Sequence, residues 1–78
     1  VKNEFAYAVT VEWDTLDGFG FDVFLSNDIN WLAERLAKAK KTEFDTQIGS
    51  CPNLSVIKCE FHKSNITKRF LKLMEGQP

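Results

Sequence analysis

Ten residues near the start of this chain alternate without a break. Phe5, Tyr7, Val9, Val11 and Trp13 are interleaved with Glu4, Ala6, Ala8, Thr10 and Glu12. That period of two predicts a half-buried strand. After Asp14-Thr15-Leu16-Asp17-Gly18, whose Asp-Gly step suits a turn needing positive φ, a second alternation begins. Phe19, Phe21, Val23 and Leu25 are interleaved with Gly20, Asp22, Phe24 and Ser26. Pairing Trp13 with Phe19 sets Val11 by Phe21, Val9 by Val23 and Tyr7 by Leu25. All eight bulky residues then share one buried face, so this register is the expected one.

Farther on, Asn27 is the expected cap of a helix beginning at Asp28, with Ile29, Leu32, Ala33 and Leu36 as its inward stripe and an end near Lys41. Phe44, Thr46 and Ile48 alternate with Glu43, Asp45 and Gln47, which allows a short strand. Gly49–Asn53 reads as a turn. Ser55, Ile57, Cys59 and Phe61 alternate with Val56, Lys58, Glu60 and His62, a further strand. Ser64 would cap a last helix that buries Ile66, Phe70, Leu73 and Met74 and ends at Gly76. The order is ββα(β)βα. Each helix must bury its stripe on the sheet, so the expected fold is α+β. It is a two-layer sandwich with a mostly antiparallel sheet of three or four strands and both helices on one face.

With 78 residues, the chain makes a single domain, residues 1–78, and buries only about 60% of its unfolded surface. The net charge of −1 conceals a division. Residues 1–34 hold seven acids against Lys2, and residues 35–78 hold nine bases against four acids. A polarised charge distribution shapes encounter with partners and says little about fold. No run approaches the roughly 20 apolar residues of a membrane span. Two cysteines, Cys51 and Cys59, fit a reducing, cytoplasmic setting better than a disulfide framework. The chain opens on Val1, so the lack of a secretory signal says little about compartment.

No enzyme chemistry is expected. The sequence has no phosphate loop, nucleophile elbow or dinucleotide fingerprint. Paired carboxylates such as Glu12 and Asp22 need a cleft to shift one pKa, and an open sandwich offers little. Cys59-x-x-His62 with Cys51 lacks the four paired ligands of a structural zinc site, and on a strand Cys59 and His62 point to opposite faces. No cofactor is implied.

What remains is surface. The outward face of the hairpin would carry Glu12, Asp14, Asp17 and Asp22 around an exposed Phe24. Trp31 lies about 200° around the first helix from Ile29, with Arg35 one turn on and able to cover its ring. These residues form a candidate protein-binding surface for a basic partner, including one that handles nucleic acid. Lys38, Lys40 and Lys41 with Lys68, Arg69 and Lys72 form an alternative, phosphate-contacting surface. The overall pI near 5.7 speaks against nucleic acid as the main partner. Head-to-tail pairing of the acidic and basic parts would give a structural homo-oligomer instead.

One stretch resembles the small phage-encoded host-takeover proteins of the Dmd antitoxin type. The likeness lies in the aromatic hairpin, the helix opening Asp28-Ile29-Asn30-Trp31 and the strand near Ser55–Phe61. It leaves the C-terminal helix uncovered. The resemblance implies a small non-enzymatic inhibitor that occupies a host or defence protein. The reading from the residues agrees in class: a non-enzymatic protein-binding module, inhibitor or adaptor.

Overall fold

The computed structural model describes residues 4–15, 18–41 and 54–77, the side chains of Asp14, Thr15 and Lys41 excepted. The chain runs β1 (Tyr7–Thr15), β2 (Gly18–Ser26), α1 (Ile29–Lys41), β3 (Ser55–Phe61), β4 (Ser64–Asn65) and α2 (Thr67–Glu75). The four strands form one antiparallel sheet in the order β2-β1-β3-β4. The expected α+β sandwich is therefore the fold. Its fourth strand, however, is the short Ser64–Asn65 segment. The strand considered at 43–48 lies outside the described residues.

The core forms where one sheet face meets both helices. Val9, Val11 and Cys59 come from the sheet, Leu32, Ala33, Leu36, Ala37 and Ala39 from α1, Phe70 and Met74 from α2, and Leu54 from the approach to β3. The α1 stripe is the one its 3.6-residue spacing predicts. Tyr7, Trp13, Phe24, Ile29, Val56, Ile66 and Leu73 pack around this centre, partly buried.

The hairpin register departs from expectation by one residue. Val9 pairs with Phe24, Val11 with Asp22, Trp13 with Gly20 and Thr15 with Gly18. Because side chains alternate, a one-residue slip turns every β2 side chain to the other face. Phe24 is thus a partly buried core neighbour and not an exposed anchor. Phe19, Phe21, Val23 and Leu25 point away from the helices. The cause is visible at Gly20. A Cβ built there would lie 2.8 Å from Trp13 Cζ2, so the indole occupies the space that any side chain at position 20 would need. Trp13 keeps its place on the core side only opposite glycine. The Thr15–Gly18 pair leaves two residues to connect the strands; the turn role expected of Asp17 lies outside the described residues.

β3 carries a second irregularity. Thr10 pairs with Lys58 and Val11 with Val56, so Ile57 is the extra residue of a bulge. Val56 turns toward the core in place of Ile57, which is 46% exposed. The chain re-enters the sheet through a two-residue turn in which His62 (φ 46°) and Lys63 (φ 68°) both adopt positive φ, the backbone signature of the primed hairpin turns.

The helix starts differ from the expected caps: Asp28 serves α1, and Ile66, with no side-chain cap bond, holds the N-cap position of α2. Asp28 Oδ1 accepts from the N–H groups of Asn30 (3.0 Å) and Trp31 (3.1 Å), which makes Asp28 the N-cap of α1. Asn27 instead accepts from the Ala6 N–H at 2.7 Å and ties the helix entry to β1. Ser64 belongs to β4. Asn65 Oδ1 accepts from the Thr67 N–H (2.9 Å), and the Thr67 hydroxyl donates to it (2.6 Å) while accepting from the Cys59 N–H (3.0 Å). Gly76 ends α2 as expected, but with right-handed backbone (φ −77°) and its N–H donating to the Lys72 carbonyl.

The Trp13–Gly20 contact yields a direct test. Gly20→Val should lower unfolding stability by about 1–3 kcal/mol, the usual cost of overpacking, in urea titrations followed by circular dichroism. An unchanged midpoint would mean that the indole does not set the register.

Candidate functional site

The exposed β2 row is the most unusual surface of the molecule. Phe19 is 72% exposed, Phe21 58%, Val23 52% and Leu25 50%. Phe19 and Phe21 touch edge to face, with ring centroids 5.9 Å apart. Beside this row β1 contributes small or polar side chains, with Ala8 level with Leu25, Thr10 with Val23 and Glu12 with Phe21. On β3, Lys58 and Glu60 continue the same face as a salt-bridged pair. The open face is therefore an apolar ridge, then a shallow trough, then a self-neutralised charge pair. Single exposed apolar residues are ordinary, but a contiguous row marks a contact surface.

β2 is also an edge strand, and edges invite pairing with another chain. A two-residue hairpin connection is closed by a hydrogen-bonded pair, here Thr15–Gly18, so alternation turns the backbone groups of residues 19, 21, 23 and 25 toward the free edge. At the middle of that edge, Asp22 Oδ1 accepts from the Val23 N–H at 2.9 Å. The carboxylate occupies a donor that an incoming strand would need. A charge on the helix side of an edge strand is a known protection against edge-to-edge aggregation.

The residues anticipated as one acidic docking patch are dispersed. Glu12 is exposed on the open face. Asp22 is exposed at the edge, on the helix-side row. Phe24 packs against the core. Asp17 and the side chain of Asp14 lie outside the described residues. Trp31, 46% exposed, sits on α1 in the opposite layer, with the Arg35 guanidinium carbon 5.6 Å from its ring centroid, as its spacing suggested. Lys38, Lys40, Lys68, Arg69 and Lys72 are all exposed on the helices; the side chain of Lys41 is not described. Counted along the chain, α1 and α2 carry seven bases against Glu34 and Glu75, so the helical layer is net +5.

A groove of about 420 Å³ opens at the Leu25 end of the sheet, lined by Glu4, Phe5, Ala6, Ala8, Glu60, His62 and Lys63. It is wide open and mixes both signs of charge. Phe5, expected to point inward, is 48% exposed there. No polar or charged side chain is buried among the described residues. Cys59 is fully buried and carries a free thiol, whereas His62 is exposed in the turn, so the two do not meet. No group of three or more His, Cys, Asp or Glu placed to hold a metal occurs among the described residues. No described helix is long and apolar enough to cross a membrane.

Comparison with protein-family models, with curated proteins and with solved structures finds no match. The likeness to phage host-takeover proteins accordingly rests on the residues quoted for it.

Burial, with the neighbouring Glu60 charge adding to it, pushes the Cys59 thiol from its ordinary 9.0 up to about 11. The unfolded chain therefore loses this proton first as pH rises. The contribution of the neutral thiol is full below pH 9 and is lost between pH 9 and 11, with a limiting slope of about 1.4 kcal/mol per pH unit. Alkylation at pH 8, mapped by mass spectrometry, should leave Cys59 unmodified until the protein is unfolded. Rapid labelling of the native chain would contradict its burial.

Proposed function

We propose that this chain is a small non-enzymatic protein-binding module whose contact surface is the open sheet face centred on Phe19, Phe21, Val23 and Leu25. The observation that carries the reading is the exposure of four consecutive same-face residues on a strand that the helices leave uncovered. Aromatic residues are common binding anchors, and an apolar centre with polar surroundings is the usual anatomy of an interface. The acidic residues first considered supply a rim: Glu12 beside the ridge and Asp22 at its edge. An inhibitor or adaptor acts through such a surface by occupying its partner. Replacing Phe19 and Phe21 together by Ser should change monomer stability by no more than about 0.5–1 kcal/mol, because surface substitutions do little to the fold. The same double variant should lose binding of an apolar dye such as bis-ANS. A stability loss of several kcal/mol, as for core Phe residues, would mean that the row is packed within the chain, and the proposal would fall.

The +5 helical layer favours a second reading, in which Lys38, Lys40, Lys68, Arg69 and Lys72 contact phosphates of a nucleic acid. If three phosphates are neutralised, the logarithm of affinity should fall with the logarithm of salt at a slope of about −2 to −3. Fluorescence anisotropy with mixed DNA and RNA oligonucleotides, repeated on Lys68→Glu/Lys72→Glu, measures that slope. No binding at 20 mM salt would dismiss this reading and leave the sheet-face proposal untouched.

A further inference from the structure

We infer that the helical layer takes single-stranded nucleic acid, with the Trp31 ring as the platform on which one base stacks. This rests on the second reading above, in which that layer meets phosphates. It adds the form of the strand and the residue that holds a base.

Trp31 is the feature that phosphate contact alone leaves unused. Its ring is 46% exposed on a helix whose other side supplies Leu32, Ala33 and Leu36 to the core. Arg35 and Lys38 follow it at i+4 and i+7, so the three share one strip of α1, about 10 Å long. The Arg35 guanidinium carbon stands 5.6 Å from the ring centroid. That contact braces the ring and sets a cation beside a base laid on it. Two carboxylates stand near the strip by their spacing. Asp28 Oδ1 is held by the N–H groups of Asn30 and Trp31. Glu34 stands one turn from Lys38, at the spacing of a helical ion pair.

Charge names the partner. α2 packs beside α1 and adds the exposed Lys68, Arg69 and Lys72. The layer is net +5, which complements a polyanion. An aromatic face among cations suits a single strand, because the cations follow the backbone and the ring accepts any base. A duplex fits less well. It hides its base faces within the stack, and its major groove admits one α-helix, whereas α1 and α2 lie side by side and neither projects. A lipid surface fits less well too, since among the described side chains of α1 only Trp31 is both apolar and exposed.

Fluorescence anisotropy of the whole chain at about 20 mM salt tests this with three labelled probes. They are an oligothymidylate of about 20 nucleotides, its duplex with oligoadenylate, and an abasic strand of equal length that keeps the phosphates and lacks the bases. The parent chain should hold the oligothymidylate about fivefold or more tighter than either other probe. Trp31→Ala should lose the margin over the abasic strand, while its affinity for that strand stays within about twofold. Trp31→Phe keeps an aromatic face and should retain most of the margin. The salt slope of Trp31→Ala should match the parent's, because an indole neutralises no phosphate. Comparing strands on the parent requires no variant, so the test stands even if circular dichroism shows Trp31→Ala unfolded. Equal affinity for base-bearing and abasic strands would overturn the inference and leave the phosphate reading in place. A margin that survives Trp31→Ala, or tighter binding of the duplex, would overturn it in the same way. Binding of none of the probes would remove both claims.

Discussion

The contact between the Trp13 indole and the bare backbone of Gly20 decides what this molecule presents to its surroundings. β1 has only one apolar row, so its orientation is fixed by burial. β2 is different: Phe19, Phe21, Val23 and Leu25 form one row that could be buried, and Phe24 anchors the other. Hydrophobic sorting alone would choose the first. Steric exclusion at one cross-strand pair chooses the second. The consequence is a four-residue apolar row left outside, at a cost in burial that a protein of this size has little stability to absorb.

The surroundings of the row are consistent with an exposed role. The strand that carries it lies at the edge of the sheet, where uncontrolled pairing is the usual hazard. Its central free N–H is held by the carboxylate next to it. The neighbouring β1 row is small or polar, with Glu12 beside Phe21, and β3 adds the Lys58–Glu60 pair. The held N–H discourages extension of the edge. The positive charge of the chain is collected on the other layer, along α1 and α2, so the division seen between the two halves of the sequence survives as a division between layers. Its negative counterpart is not the continuous patch that the sequence suggested, because the register turns Asp22 and Phe24 toward the helix side.

Much of the architecture was legible. The alternation of Tyr7, Val9, Val11 and Trp13 and the stripes Leu32–Ala33–Leu36 and Phe70–Met74 pointed to the strands, helices and layer arrangement, because burial of one face is a strong constraint on each element. The site was less legible for a specific reason. Assigning β2 by its most hydrophobic row assumes that both rows compete only on burial. The pairing of Trp13 with Gly20 was the available signal, since an indole on the core side needs an empty position opposite. The bulge at Ile57 had no comparable signal; it emerges only when β3 is laid against β1. The cap of α1 fell one residue later than expected, on Asp28, because Asn27 is engaged by the Ala6 N–H, while α2 has no side-chain cap at all: Ile66 holds its N-cap position and Ser64 is drawn into β4.

The oily surface and the cationic surface lie back to back, separated by the full thickness of the packed interior. A body seated on either one leaves the other clear of steric conflict. A substitution on either surface therefore leaves the side chains of the other in place.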